Sequence, residues 1–296
     1  MCWRIMVIQA LFWISFISLE ALSISLTDPW LEARGPIGVF VRYRYLRALR
    51  ALLTFACLWL AARHIDRRPF ADFGFNWDNG RWRELAAGFS AGLFAVSIRH
   101  LIALVLGVER ITEVAHVPTG LSFSADMGTA LLAMFLLGFT EEGMLRAHPM
   151  KNLAEGFSFL AGTKSPSLLA TAVILPPALG FAFVHVINGG DYWINAGFFL
   201  ACFGVIFGCI FYVTGSLAFP IGLHAAWDYG NIFLFRVNAA KDCYLFRMEP
   251  NDNGWGRWIP NDNLFLILIT LGVLIWFVAR TARPGFRSPL FRSHPR

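Results

Sequence analysis

The residues able to do chemistry are few, and they stand at the ends of apolar runs. Glu141, Glu142 and Arg146 lie in GFTEEGMLRAHP, directly after TALLAMFLLGF. His185 closes a second run in FAFVHVING, four residues after Phe181. His224 and Asp228 interrupt a third in PIGLHAAWDYG. Carboxylates and imidazoles together can pass protons or hold a divalent metal. Placed in apolar spans, each costs about 2.5–3.5 kcal/mol at a bilayer centre, so each needs a partner. Glu142 and Arg146 are four apart and share a helix face, as do His224 and Asp228, and as do Phe181 and His185. Glu141 is turned about 100° from Glu142 and points elsewhere, toward a cavity. Since separate spans each bring an acid or an imidazole to similar depth, they are expected to share one interior polar site.

The elements that must position these groups follow from composition. The chain has 296 residues, of which 57% are hydrophobic and 15% charged, and its mean hydropathy is +0.56. A soluble domain carries about 25% charged residues. The apolar residues also come in blocks near the roughly 20 residues that a bilayer-crossing helix needs. The expected fold is all-α, a polytopic transmembrane helical bundle. Eight spans are expected: Ile5–Leu22, Leu46–Ala62, Leu85–Leu106, Thr129–Leu145, Leu168–Val186, Ile194–Val213, Leu217–Phe235 and Leu264–Ala279. The first also fits a signal peptide, with one arginine, an apolar stretch and small residues.

The net charge of +6 comes mostly from arginines between hydrophobic blocks. That pattern fits topology and headgroup contact, not nucleic acid. Lys and Arg are richer in the loops on the side of both termini, which the positive-inside rule places in the cytoplasm. Lys151–Leu160 reads as an amphipathic stretch along the interface, and the basic tail from Arg280 as mobile. Gly88/Gly92 and Gly204/Gly208 permit close helix packing. Trp77, Trp82, Trp193, Trp255 and Trp258 stand where interfacial anchors would. Glu155, Asp191 and the loop Asn238–Asn263 are expected at the surface. Cys2, Cys57, Cys202, Cys209 and Cys243 form no CxxC pair and read as small hydrophobes. Arg99 and His100 lie deep in the third expected span, and Arg99 is a candidate to answer a carboxylate of the site.

The three motifs, Glu141-Glu142-x-x-x-Arg146, Phe181-x-x-x-His185 and His224-x-x-x-Asp228, resemble those of the CPBP family of intramembrane proteases, also called the ABI or type II CAAX prenyl endopeptidase family. The likeness covers about 125–235. It implies a CPBP-like catalytic core at 125–235, preceded by N-terminal spans at 1–124 and followed at 236–296 by a loop, a last span and a basic tail. Two departures stand out: MLRA replaces the family's frequent LFRG, and Asp228 replaces the commoner asparagine. An ionised carboxylate cannot donate a hydrogen bond, so Asp228 is either protonated or orients His224.

The resemblance implies hydrolysis of a peptide bond in a membrane-anchored or lipidated peptide at the bilayer. Glu141 is then the expected general base, with His185 sharing the attacking water. Glu142 and Arg146 brace the helix end, and His224 with Asp228 stabilises the oxyanion. In this version no cofactor is needed. The alternative is Zn²⁺ held by Glu141, His185, His224 and Asp228. HExxH, GxSG and Walker patterns are absent. A transporter or non-proteolytic scaffold using the same polar cluster is the other reading, although inverted repeats are missing.

Overall fold

The computed structural model describes residues 2–33, 35–117, 122–158, 166–186, 193–236, 243–251, 261–283 and 285–291. Each expected span falls on a helix. In chain order these are α1 (Cys2–Glu32), α2 (Pro36–Leu60), α3 (Asn79–Val105), α4 (Phe123–Glu142), α5 (His148–Phe157), α6 (Pro166–Val186), α7 (Trp193–Thr214), α8 (Ala218–Tyr229) and α9 (Asn261–Thr281). Among the described residues, four helical stretches are long and apolar enough to cross a membrane: Arg44–Asp66, Gly80–Val105, Phe123–Phe157 and Ser167–Val186. Trp3–Ser18, Ala201–Thr214 and Phe265–Thr281 are shorter apolar stretches of the described residues, within α1, α7 and α9. The expected seventh span divides into α8, of 12 residues, and a wide π turn at Gly230–Leu234. Of the eight expected spans, the second to the fifth thus fall on helices of membrane-crossing length among the described residues.

Small residues set how closely α8 is held. A Cβ on Gly222 would lie 2.2 Å from the Leu85 carbonyl oxygen, and one on Gly88 would lie 2.2 Å from that of Phe219. The α3 and α8 backbones thus touch directly, as small-residue packing permits. On the other side of α8, a Cβ on Gly138 of α4 would be 3.1 Å from the Ile221 carbonyl oxygen. Gly204 and Gly208 of α7 make the same kind of approach to Ala178 and Ile174 of α6. The glutamates of α4 and the histidine of α8 are therefore forced within side-chain reach.

α4 continues through a π turn at Gly143–Ala147 straight into α5, so Phe123–Phe157 is one long rod. Pro149 explains the wide turn. Its ring cannot accept the carbonyl of the preceding turn at normal helix spacing, and a π turn relieves that clash. Lys151, Asn152 and Ala154 are buried while Glu155 is exposed, so α5 is amphipathic and packs one face against the rest of the protein. Lys151 Nζ donates to the Leu290 carbonyl at 3.0 Å, and Asn152 donates to Asp66 Oδ2 at 3.1 Å. Buried Asp66 also faces His148 Nε2 at 3.4 Å and Arg4 at 3.4 Å. Glu155 is exposed, as expected, and pairs with Arg68 at 2.5 Å.

The expectation for the tail is corrected. Ser288 Oγ donates to the Tyr212 carbonyl, and Leu290 is 2% exposed, so 288–291 is packed against α5 and α7. Residues 292–296 lie outside the described residues, as do Asp191, Trp255, Trp258 and the side chain of Trp193. Trp77 and Trp82 lie 5.0 Å apart, exposed beside the start of α3.

One element escapes the all-α expectation. A three-stranded sheet caps one end, in the order β1 (Glu109–His116), β3 (Tyr244–Pro250), β2 (Phe235–Arg236). β1 and β3 are antiparallel with a register break between Ile111 and Glu113, and β2 is parallel to β3. Part of the expected surface loop Asn238–Asn263 is thus a strand, with Tyr244 and Met248 buried. Arg99 and His100 find their partner here. Glu109 accepts from His100 Nδ1 at 2.7 Å and pairs with Arg99 at 3.2 Å, while His100 stacks on Phe235. Arg99 therefore does not answer a carboxylate of the polar site.

Burial pushes the Glu109 carboxyl up, but the His100 hydrogen bond and the Arg99 charge outweigh it and hold it below the usual range. A depressed folded value contributes stability above the unfolded pKa, about 4.3, that is lost as pH falls through the folded value. Protection of β3 amides, as the ratio of intrinsic to observed exchange rate at each pH, is accordingly expected to fall at acid pH. In Glu109→Gln that protection is expected to be low already at neutral pH, read by hydrogen–deuterium exchange.

Candidate active site

Glu142 is the anchor. Its side chain is completely buried, and its Oε1 accepts from both Arg146 and His224 Nδ1, the latter at 2.7 Å. The first bond runs one turn along its own rod, and the second crosses to α8. The Arg146 guanidinium lies 4.2 Å over the Phe181 ring and 4.8 Å over that of Phe207. Phe207 in turn stacks on His224, with centroids 5.6 Å apart and planes 19° apart. A buried cation needs counter-charge, and aromatic faces add to it. These contacts join α4, α6, α7 and α8.

Glu141 stands at the centre. Its Oε2 lies 3.6 Å from His185 Nε2 and 3.6 Å from His224 Nε2. That oxygen is buried and makes no hydrogen bond among the described residues. His185 Nδ1 donates to the Phe181 carbonyl at 2.8 Å. A neutral His185 so fixed presents Nε2 as an acceptor. His224 is the opposite case: Nδ1 donates to Glu142, while Nε2 faces Glu141 and, at 3.5 Å, Asp228 Oδ2. With carboxylates at both nitrogens, His224 acts as a donor on both sides. The structure thus brings together Glu141, Glu142, Arg146, Phe181, His185, His224 and Asp228.

Three cavities meet around these groups. One of about 260 Å³ holds Glu141, His185, His224 and Asp228. A second, of about 500 Å³, leads from Glu141 and His185 to the aromatic side chains of α1. A third, of about 540 Å³ and almost wholly apolar, runs along α3, α7, α8 and α9. It shares Phe203 and Trp227 with the first, and these rings meet edge-on with centroids 4.7 Å apart.

The groups named for the zinc alternative meet here: Glu141 Oε2 lies 3.6 Å from the Nε2 atoms of His185 and His224, and Asp228 Oδ2 lies 3.5 Å from His224 Nε2. As they stand, no three His, Cys, Asp or Glu side chains among the described residues are arranged around a single metal position.

Sequence reasoning missed several members. Phe207, Phe203 and Trp227 look like ordinary apolar residues, and nothing in their spacing marks them. Arg47 lines both polar cavities. A signal existed, since Arg44, Arg47 and Arg50 recur at helical spacing inside an apolar stretch. Their charge was assigned to topology. The Glu142–His224 bond was also missed, because it joins residues 82 positions apart.

Apolar helices of membrane-crossing length around a buried acid–imidazole site are those of an integral membrane protein. Residues 123–230 match the model of the family described as type II CAAX prenyl endopeptidase Rce1-like. This bears out the resemblance carried by the three motifs, over the segment that holds all of them. Comparison with curated proteins and with solved structures finds no match.

Removing one partner of a buried ion pair leaves the other charge uncompensated, at a cost of about 3–5 kcal/mol. Arg146→Ala is expected to lose that much stability. Arg146→Lys, which lacks the planar fork that lies between two rings, is expected to recover only part of it. Thermal unfolding in detergent measures both.

Proposed function

We propose that the protein is an intramembrane endopeptidase that hydrolyses a peptide bond of a membrane-associated or lipidated substrate with a water activated by Glu141. The observation that carries this reading is the Glu141 Oε2 atom: buried, without a hydrogen bond among the described residues, and equidistant from the Nε2 atoms of two histidines on different helices.

In the proposed reaction a water donates one hydrogen to Glu141 Oε2 and the other to the acceptor Nε2 of His185. Its oxygen attacks the scissile carbonyl carbon while Glu141 takes the proton. The carbonyl oxygen becomes an oxyanion, which accepts a hydrogen bond from His224 Nε2–H. Glu142 supports that donor from Nδ1, and Asp228 orients it at Nε2. Glu141 then hands its proton to the amide nitrogen, the C–N bond breaks, and the acid product passes the second water proton to the amine, so that a carboxylate and an ammonium leave. Arg146 keeps Glu142 ionised and in place. The polar groups stand ready in a site walled by aromatic rings, where fixed dipoles act with little water to weaken them. No metal takes part in this scheme. The apolar cavity behind Phe203 and Trp227 offers room for a lipid chain of the substrate.

Glu141→Gln is expected to lower cleavage of a membrane-anchored reporter peptide by about 10²–10⁴, the usual worth of a general base. His224→Ala is expected to cost about 10²–10³, the usual worth of an oxyanion donor. If both variants fold and cleave at the wild-type rate, the reading is wrong and a scaffold role replaces it. Purified protein treated with a chelator is expected to keep full activity. Loss of activity that zinc restores would overturn the metal-free scheme.

A further inference from the structure

Gln9 is the polar member of an otherwise aromatic face of α1. With Phe12, Trp13 and Phe16 it stands at i, i+3, i+4 and i+7, so the four share one side of that helix. The three rings line the 500 Å³ cavity together with Met144, Glu141 and His185. Phe12 is buried in the same core cluster as Met144. An amide among such residues is unfavourable unless it is hydrogen-bonded. Gln9 Nε2 donates to the Met144 carbonyl at 2.5 Å, joining residues 135 positions apart.

The backbone explains why that carbonyl needs a donor. In the π turn at Gly143–Ala147 an N–H reaches back five residues, and the His148 N–H accordingly donates to the Gly143 carbonyl. The next carbonyl in this register, that of Met144, is due the nitrogen of residue 149. That residue is Pro149, which has no N–H to give. Met144 is 1% exposed, so water is a poor substitute, and a buried carbonyl without a donor is destabilising. The rod cannot complete its own π turn, and α1 completes it from outside.

This turn lies between the two partners of the Glu142–Arg146 pair, and Glu141 directly precedes it. A change in its winding would swing Glu142 off His224 and turn Glu141 away from the two Nε2 atoms that it faces at 3.6 Å.

We propose that Gln9 is a positioning residue of the active site: its side-chain amide supplies the hydrogen bond that Pro149 withholds from Met144, and so holds the π turn that aims Glu141 and Glu142. For its effect on the reaction this rests on the proteolytic reading above; for its effect on the turn it does not. It also makes α1, which lies outside the matched segment 123–230, a working part of the site.

The test uses the purified full chain in detergent as wild type, Gln9→Met, Pro149→Ala and the double variant. Methionine keeps the length of glutamine and removes the donor. Alanine at 149 returns a backbone N–H to the turn. Hydrogen–deuterium exchange of peptides covering 143–148 is the first readout. Gln9→Met is expected to lower their protection by roughly 5–100-fold, as a buried carbonyl left without its donor gives. In the Pro149→Ala background the same substitution is expected to change protection by no more than about twofold, since the two positions serve one acceptor. Unchanged protection in Gln9→Met, or an equal fall in both backgrounds, overturns the proposal.

Cleavage of a membrane-anchored reporter peptide is the second readout. Gln9→Met is expected to lower kcat by about 10–100-fold, as a small misplacement of reacting groups does, and to leave KM within about threefold. Pro149→Ala is expected to remove most of that loss. A raised KM at unchanged kcat overturns the proposal, because Gln9 would then only wall the outer cavity. If the wild type cleaves nothing, the proteolytic reading fails and the exchange result decides on Gln9 by itself. If Gln9→Met does not fold, the double variant decides: folding restored by Pro149→Ala supports the pairing, and failure in both backgrounds overturns it.

Discussion

The carboxylate of Glu142 is asked to satisfy two cationic groups at once, and the site depends on its doing so. Arg146 comes to it along the same rod and His224 across from α8, in a place where water does not reach. Alone, any of these groups would be too costly to bury. Together they neutralise one another, and the Phe181 and Phe207 rings close over the guanidinium. Because the penalty for breaking such a set is much larger than its net gain, the contact fixes geometry more than it adds stability. It sets the rotation of α4 about its axis. Once Glu142 is turned inward to Arg146 and His224, Glu141 has to face the cavity.

That constraint works only because the backbones can come close enough. Gly88 and Gly222 let α3 and α8 touch, and Gly138 lets α4 approach α8. A side chain at any of these positions would push His224 away from the glutamates by more than a hydrogen bond tolerates. Packing and chemistry are therefore coupled through residues that carry no functional group. The π turn at Gly143–Ala147 adds a second adjustment. It widens the rod where Arg146 must reach back four residues, at a point where Pro149 already forbids a regular helix.

Away from this centre, two further buried polar sets tie the rest of the chain to it. The Asp66 set joins the end of α2 to α5, and Lys151 holds the packed tail. The Arg99–His100–Glu109 set joins α3 to the sheet. In both cases an ionisable group in an apolar helix is accounted for by a partner in a segment of quite different character. This is why neither set was readable as a pair beforehand. The sheet was illegible for a related reason. β1 and β3 are short and separated by more than a hundred residues, and each reads as loop until the other is beside it.

The sequence by itself determined the helical character, the positions of the helices and the short list of groups able to do chemistry. Those are consequences of apolar blocks and of a period of 3.6 residues, both local properties. It also determined that Glu141 and Glu142 point in different directions. It did not determine which of Glu141's neighbours it meets, that Glu142 rather than Asp228 holds His224 at Nδ1, that Arg47 lines the same cavities, or that the tail and one face of α5 are buried. Those facts depend on helix rotation and on which backbones can touch. They arise from contacts between residues far apart in the chain, and they are decided only when close packing and the need to pair every buried charge are satisfied together.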